Sequence, residues 1–208
     1  MNSFETDLKR AVCAKGFCAG LIIELMILFG TEFNSGLFRM SVPVLAALPY
    51  ATAWLDEYQS GFIKAYLPRC GVMSYIMGKF LACGISGGLL ETAGCALYLI
   101  RKGESAAEIS LPLIFASGML WAVLAAVLAA WSNSRYIAYG GGFVIYYLLV
   151  IVHERYFEGL YCLYPYEWLK PSHTWMFGEQ GIILLIGGII LILLCTYYEI
   201  LGRCLGHV

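Results

Sequence analysis

Residues 181–200 read GIILLIGGIILILLCTYYEI, and this run of apolar side chains decides the fold class. Its only charged residue is Glu199, next to the end of the run. A hydrocarbon layer about 30 Å thick is crossed by about 20 helical residues, and only helices or closed barrels satisfy every backbone polar group there. Because the apolar residues are continuous and do not alternate with polar ones, the run predicts a transmembrane helix.

The composition extends this prediction to the rest of the chain. Of the 208 residues, 61% are hydrophobic and 13% are charged, whereas about 25% of the residues of a soluble domain are charged. So many apolar side chains do not fit into one core surrounded by water, and lipid is the predicted second solvent. The net charge of -1, without a tract rich in Lys or Arg, gives no indication of a nucleic-acid partner.

We predict an all-α integral membrane protein in which residues 1–208 form one transmembrane domain with six helical spans. The second span is short, and Pro43 and Pro49 predict a kink in it. The six predicted spans are 16–31, 40–55, 75–100, 111–131, 136–152 and 181–200.

The distribution of Lys and Arg predicts the orientation of these spans. The side that holds both termini carries eight of these residues, and the opposite side carries five. Short loops with the larger number of Lys and Arg residues remain in the cytoplasm. Both termini of this multi-pass protein are therefore predicted to be cytoplasmic.

Residues 1–15 have the pattern of a helix that lies in the membrane interface. Phe4, Leu8 and Val12 recur at a spacing of four, and charged residues lie between them. An amphipathic helix of this kind buries its apolar face at the boundary between headgroups and acyl chains. A frayed polar tail is the alternative interpretation.

Residues 56–70, which follow the second span, predict a short amphipathic helix. Gly61 permits a turn, and Pro68 is expected to stop the helix. Between them, Phe62, Ile63, Tyr66 and Leu67 share one face. Such a face can enter a groove on a partner or lie on the lipid headgroups, and the residues alone leave both open.

The spacing of this segment resembles the permease subunits of type-2 ABC transporters, in particular the compact bacterial members. Three pieces of sequence carry the resemblance: Glu57-x-x-x-Gly61, Leu67-Pro68-Arg69 and Tyr75-x-x-Gly78-Lys79. In that family, these features mark the first cytoplasmic coupling helix. The family plan also has an amphipathic N-terminal helix, six spans and a helical re-entrant segment on the outer side before the last span, here residues 153–180.

The resemblance implies a permease subunit of an ATP-driven exporter in the bacterial cell membrane. Its substrate would be amphipathic, such as a peptide antibiotic or a lipid. Its partners would be cytoplasmic ATP-binding subunits and either a second copy of the permease or a homologous permease. The residues implied in docking the ATP-binding subunit are Glu57, Gly61, Phe62, Lys64, Tyr66, Leu67 and Arg69.

The chain itself is not expected to be an enzyme or to hold a cofactor. The nearest approach to a phosphate-binding G-x-x-x-x-G-K-[ST] loop runs from Gly71 to Lys79, where the spacing is wrong and Phe80 replaces the hydroxyl residue. ATP and magnesium are therefore expected in the partner subunit. No metal site is expected in this chain, because His153-Glu154 forms half of an H-E-x-x-H motif and Phe157 stands where the second His would be.

Residues 153–180 mix charged and aromatic side chains, which is typical of the membrane–water boundary. This segment either shapes a substrate exit, with Tyr161, Trp168 and Trp175 along the path, or anchors the chain in the interface. Glu24 and Glu91 lie within apolar spans and should face the bundle or a wet cavity. They are candidates for a substrate contact, a lock between helices or a protonated carboxyl with a hydrogen-bond partner.

Other classes of function remain as alternatives at this stage. An ion-driven secondary carrier and a structural membrane subunit without transport activity are both compatible with the apolar spans. An intramembrane enzyme would need polar catalytic groups that converge within the spans, which offer Glu24, Glu91 and scattered hydroxyl residues.

Overall fold

The computed structural model describes residues 3–31, 33, 35–102, 109–157, 159–175 and 177–205, and this part of the chain is helical without strands. Its α-helices are α1 (Ser3–Val12), α2 (Lys15–Thr31), α3 (Gly36–Leu45), α4 (Ala53–Gln59), α5 (Phe62–Cys70), α6 (Val72–Lys102), α7 (Leu111–Ser132), α8 (Arg135–Tyr156) and α9 (Glu179–Leu205).

Four of the described helices are long and apolar enough to cross a membrane, namely α6, α7, α8 and α9. A fifth is obtained if Phe4–Val12 and Lys15–Thr31, which meet at an angle of 47°, are counted as one bent span. This confirms the prediction of an all-α protein with several helices of membrane-spanning length. The number of six spans stays a prediction.

The predicted second span, residues 40–55, is not one kinked helix. Helix α3 ends at Leu45, residues 46–52 form turns, and α4 begins at Ala53. Pro49 has no backbone N–H to continue a helix, and the preceding N–H of Leu48 bonds to the carbonyl of Leu45 in a tighter turn, at 3.1 Å. The segment is thus divided at the turns that contain Pro49, whereas Pro43 lies inside α3.

The predicted helix at 56–70 is also divided. Gly61 has a φ of 72°, in the left-handed region, and separates α4 from α5. Pro68 does not stop α5, which continues to Cys70. The helix ends at Gly71, whose N–H donates to the carbonyl of Leu67 at 3.0 Å and whose φ is 76°.

The helical re-entrant segment predicted at 153–180 is wrong as a helix. Helix α8 extends to Tyr156, and the described residues between 157 and 178 form turns, bends and irregular backbone, with one 3-10 turn at Tyr161–Leu163. Pro165 and Pro171 interrupt any longer helix by removing backbone donors. We call residues 157–178 the aromatic loop.

Helix α6 forms the centre of the bundle and packs against α1, α2, α7 and α9. Small residues allow this close packing. At Gly87, an added Cβ would lie 2.4 Å from the Cβ of Ala122 on α7, and at Gly88 it would lie 2.8 Å from the carbonyl oxygen of Phe115. Glycine is therefore needed on the face that α6 presents to α7.

Helix α1 packs on α6 through the face that holds Asp7 and Ala11. Asp7 and Ala11 are buried, whereas Val12 is 36% exposed. Phe4 and Leu8 are half-buried. An ion pair between Asp7 and Lys79 holds α1 on α6, and the position of this helix in the membrane interface stays a prediction.

Candidate functional site

A group of charged and hydroxyl side chains is buried near the start of α6. Lys79 lies at its centre and is 2% exposed. Its Nζ is 2.8 Å from Oδ1 of Asp7 and 2.6 Å from Oε1 of Glu57, and it donates to the hydroxyl oxygen of Tyr50 at 3.0 Å. One ammonium group therefore connects α1, the turn at 46–52, α4 and α6.

Further contacts complete this group. Arg10 Nη1 lies 3.0 Å from Oε1 of Glu57, and the hydroxyl of Tyr75 donates to Oε2 of Glu57 at 2.8 Å. The hydroxyl of Tyr50 donates to Asp7 at 2.7 Å. We call these residues the Lys79 network: Asp7, Arg10, Tyr50, Glu57, Tyr75 and Lys79. Two carboxylates face two cations, so the formal charges balance, which a buried group requires.

Local structure explains part of this arrangement. Tyr75 and Lys79 are one turn apart on α6 and so share a face of that helix. A lysine in an otherwise apolar helix requires a counter-ion, and Glu57 was already part of the quoted motif. The sequence analysis missed Asp7, Arg10 and Tyr50, because their spacing from Lys79 contains no local signal.

The residues expected to dock a partner occupy different positions around α5. Phe62 is 44% exposed, and Gly61, Lys64 and Arg69 are also at the surface. Tyr66 and Leu67 are half-buried. Helix α5 is anchored by Ile63, which is 2% exposed. The surface of α5 thus combines an aromatic ring with two cations.

Glu57 differs from the other predicted docking residues because it is buried, at 8% exposure. Its two carboxylate oxygens are occupied by Arg10, Tyr75 and Lys79. A side chain bonded in this way positions α4, and through Gly61 it also positions α5. It does not offer its carboxylate to a partner at the surface.

Several other contacts lie at the same end of the bundle as the Lys79 network. Arg135, at the start of α8, forms an ion pair with Asp56 of α4 at 2.7 Å. Tyr197, near the end of α9, lies against Phe80 with ring centroids 5.6 Å apart. Helices α1, α4 and α5 are therefore found together with the start of α8 and the last part of α9.

The aromatic loop is organised around the buried carboxylate of Glu167. This carboxylate accepts hydrogen bonds from the N–H groups of Ser172 and His173, at 3.0 and 3.2 Å, and from the Ser172 hydroxyl. The ring nitrogens of His173 and Trp175 lie 3.0 and 3.3 Å away. Burial alone would raise the pKa of Glu167, but the hydrogen bonds from Ser172 and His173 outweigh burial and hold it below its usual value.

The predicted substrate-path residues of the loop are divided between two environments. Tyr161 stacks on the ring of His173 at 5.3 Å and contacts the edge of Trp175 at 5.2 Å. Trp168 is 4% exposed and lies against Trp121 of α7, with ring centroids 6.0 Å apart. Tyr161 thus packs on His173 and Trp175, the two rings that bond to the Glu167 carboxylate, whereas Trp168 belongs to the core.

A cavity of about 320 Å³ lies between the aromatic loop and helices α7, α8 and α9. Its lining is apolar and includes Trp121, Leu149, Trp168 and Ile189. The volume and the lining are those of a site for a small apolar group. Sequence reasoning indicated Trp168 but not the cavity, which needs the packing of three helices.

Glu24 and Glu91 are completely buried between α2 and α6. The thiol of Cys95 lies 3.8 Å from Oε1 of Glu24. Among the described residues, no hydrogen-bond partner reaches Oε2 of Glu24 or either carboxylate oxygen of Glu91. In the same part of the chain, no group of three or more His, Cys, Asp or Glu side chains is arranged to hold a metal ion.

The fold and the buried groups together define a helical protein with four or five helices of membrane-spanning length and a charged network at one end of its bundle. Comparison with known proteins found no matching family model, no matching curated protein and no matching solved structure.

Proposed function

We propose that this chain is the permease subunit of an ATP-driven exporter of the type-2 ABC class, in the bacterial cell membrane, and that α5 is its coupling helix. One observation carries the proposal. Glu57 and Lys79, which the quoted motif relates only by spacing, form an ion pair at 2.6 Å, and Gly61 turns the chain from α4 into α5. The motif residues thus belong to one structural unit.

The surface of α5 is suited to contact with a cytoplasmic ATP-binding partner. Phe62 is stacked on Tyr66 with ring centroids 5.5 Å apart, so its ring is held in place while 44% of it stays exposed. Lys64 and Arg69 add positive charge to the exposed surface of the same helix. A partner groove with an apolar centre and acidic residues at its rim would complement this face.

The Lys79 network provides a route by which movement of α5 reaches the membrane helices. Glu57 lies in α4, one left-handed turn from α5, and its carboxylate bonds to Lys79 and Tyr75 of α6. Asp7 and Arg10 extend the same contacts to α1. A displacement of α5 is therefore transmitted as a movement of α1 and α6 together.

Both termini are cytoplasmic in this proposal, because the first and last described helices have ends close to α5. Helices α1, α4 and α5 are at the same end of the bundle as the last part of α9, through the contact of Tyr197 with Phe80. Arg39 lies over the ring of Tyr166 at 5.0 Å, and Ser110 donates to Glu179 at 2.9 Å, so the ends of other helices meet around the aromatic loop.

The substrate is proposed to be amphipathic, such as a peptide antibiotic or a lipid. The apolar cavity behind Trp168 supports this part of the proposal, since it can receive a hydrocarbon group. Helices α8 and α9 also expose apolar side chains such as Leu148, Leu184 and Ile192, which face either lipid or a second permease. ATP and magnesium are placed in the partner subunit.

The decisive experiment is co-purification of the full chain with ATP-binding subunits encoded beside it. The double variant Phe62→Asp with Lys64→Glu should abolish the association, because it places negative charge on the exposed face of α5. Arg155→Glu is the matched control, because Arg155 is exposed at the other end of α8. The proposal fails if no neighbouring ATPase binds, or if the double variant and the control bind equally well.

A further inference from the structure

Glu24 and Glu91 are fully buried carboxyl groups that the proposed coupling mechanism does not use. The carboxylate of Glu24 on α2 lies directly against Gly94 of α6, so that a Cβ at Gly94 would overlap it. Gly94 and Cys95 follow Glu91 by three and four residues and therefore share its helix face. The two carboxyl groups thus face the same contact between α2 and α6.

Helix α7 closes this contact from the other side. A Cβ at Gly118 would lie 2.9 Å from Cγ of Glu91, so α7 packs directly on the glutamate stem. Both glutamates have a relative exposure of 0%. Water therefore has no surface access to either carboxyl group in this arrangement.

Among the described residues, no positively charged side chain bonds to either glutamate. The titratable side chain that contacts Glu24 within the described residues is the thiol of Cys95. Helix α7 carries no titratable side chain between Leu111 and Ser132. Arg39 of α3 lies over the ring of Tyr166. Lys15 of α2 is nine residues from Glu24, about 13 Å along the helix.

Lys79, on α6 itself, is engaged with Asp7 and Glu57. Three of the four carboxylate oxygens also lack a hydrogen-bond partner within the described residues, namely Oε2 of Glu24 and both oxygens of Glu91. An ionised carboxylate is strongly disfavoured in such a place unless a cation or donors approach it. A proton satisfies this requirement, because it removes one charge and supplies an O–H donor.

We propose that Glu24 and Glu91 form a proton-binding site within the helix bundle, where the pair holds at least one proton while α2 and α6 are packed together. The proton comes from water and returns to it, and no other reactant is needed. Loss of the proton would leave two like charges at the contact and separate α2 from α6. The contact between α2 and α6 thus depends on protonation of this pair. This proposal does not depend on docking at α5.

The test uses the full chain in lipid nanodiscs and two independent readouts. Infrared spectra should contain a band of protonated carboxylic acid at neutral pH that is lost in the double variant Glu24→Gln with Glu91→Gln. Dicyclohexylcarbodiimide, which reacts with protonated carboxyl groups in apolar surroundings, should label Glu24 or Glu91. Glu199→Gln is the control, because Glu199 is exposed and lies 3.6 Å from Arg203, and this variant should retain both signals.

Two results would overturn the proposal. The first is a spectrum without a protonated-acid band that depends on these two residues, whatever the labelling shows, because the infrared readout does not require access by a reagent. The second is a band that appears only when sodium and potassium are removed, since the site would then hold a metal cation. Glutamine has almost the same shape as glutamic acid, so the double variant should remain folded if the proposal is right.

Discussion

Lys79 Nζ lies 2.6 Å from Oε1 of Glu57 and 2.8 Å from Oδ1 of Asp7, so one buried ammonium group serves two carboxylates from different helices. The three residues come from α6, α4 and α1. Removal of one member leaves uncompensated charge in a place without solvent, which costs more than the pair contributes when it is intact. The first prediction follows from this relationship.

Lys79→Met should destabilise the protein by about 3–5 kcal/mol, because Asp7 and Glu57 would stay buried without the Lys79 ammonium group, and only the partly exposed Arg10 would still bond to Glu57. Thermal unfolding and limited proteolysis of α1 measure the effect. Lys9→Met is the matched control and should change neither readout, because the pair of Lys9 with Glu5 is exposed to solvent. Equal behaviour of the two variants would contradict the structure of the network.

Gly61→Ala should displace α5 through its backbone alone. No atom lies within 4 Å of a Cβ added there, so the cost comes from the φ of 72°, about 1–2 kcal/mol for a residue other than glycine. Association with the proposed ATP-binding partner should weaken. Gly36→Ala is also free of contacts but has no positive φ, and it should leave the association unchanged. Loss of binding in both variants would argue against a specific role of Gly61.

The aromatic loop should lose its structure at acidic pH. Its hydrogen bonds lower the pKa of Glu167, so the carboxylate stabilises the fold above the pKa of the unfolded chain. This contribution is lost as the pH falls through the folded-state pKa. Hydrogen exchange of residues 159–175 measured against pH should show the loop opening in acid.

The variant Glu167→Gln separates this effect from general acid denaturation. It should open the loop already at neutral pH and remove the additional acid sensitivity, because an amide cannot accept all the donors that surround the carboxylate. Glu154→Gln, at an exposed position, should behave like the unchanged protein. A loop that stays closed in Glu167→Gln would show that the carboxylate is not its centre.

Gly94→Ala should separate α2 from α6, because the new methyl group would overlap the Glu24 carboxylate. A cost of about 1–3 kcal/mol is expected for this overpacking, measured by thermal unfolding. Addition of Glu24→Ala should recover much of the loss, since it restores the space. Gly187→Ala, where nothing lies within 4 Å, should be neutral or slightly stabilising. Without rescue by Glu24→Ala, the close contact would not be the cause.

The sequence predicted the long helices well because their signal is local. The predicted spans 111–131 and 136–152 lie within α7 and α8, which extend only a few residues beyond them. The same reasoning failed at 40–55, where α3 ends at Leu45, turns that contain Pro49 follow, and α4 begins only at Ala53. The pattern of apolar residues indicates that a segment favours a helix in lipid. It does not indicate where that helix is interrupted.

The candidate site was only partly predictable, for a different reason. The motif contained Glu57, Gly61 and Lys79, and an isolated lysine in an apolar helix already required a counter-ion. Asp7 is 72 residues from Lys79. The sequence prediction for this helix rested on the apolar spacing of Phe4 and Leu8 and gave no role to Asp7. The identity of that counter-ion depended on tertiary packing, which no local pattern encodes.

The distance in sequence between Asp7 and Lys79 also determines when, during synthesis, α1 can form its ion pair with α6. Helix α1 leaves the ribosome well before α6 does, so its aspartate has to wait in water or among headgroups until Lys79 has emerged. Helix α1 is thus secured later than its place in the sequence before α6 would suggest. A bulky fusion placed just before α1 should interfere with this late step of biogenesis.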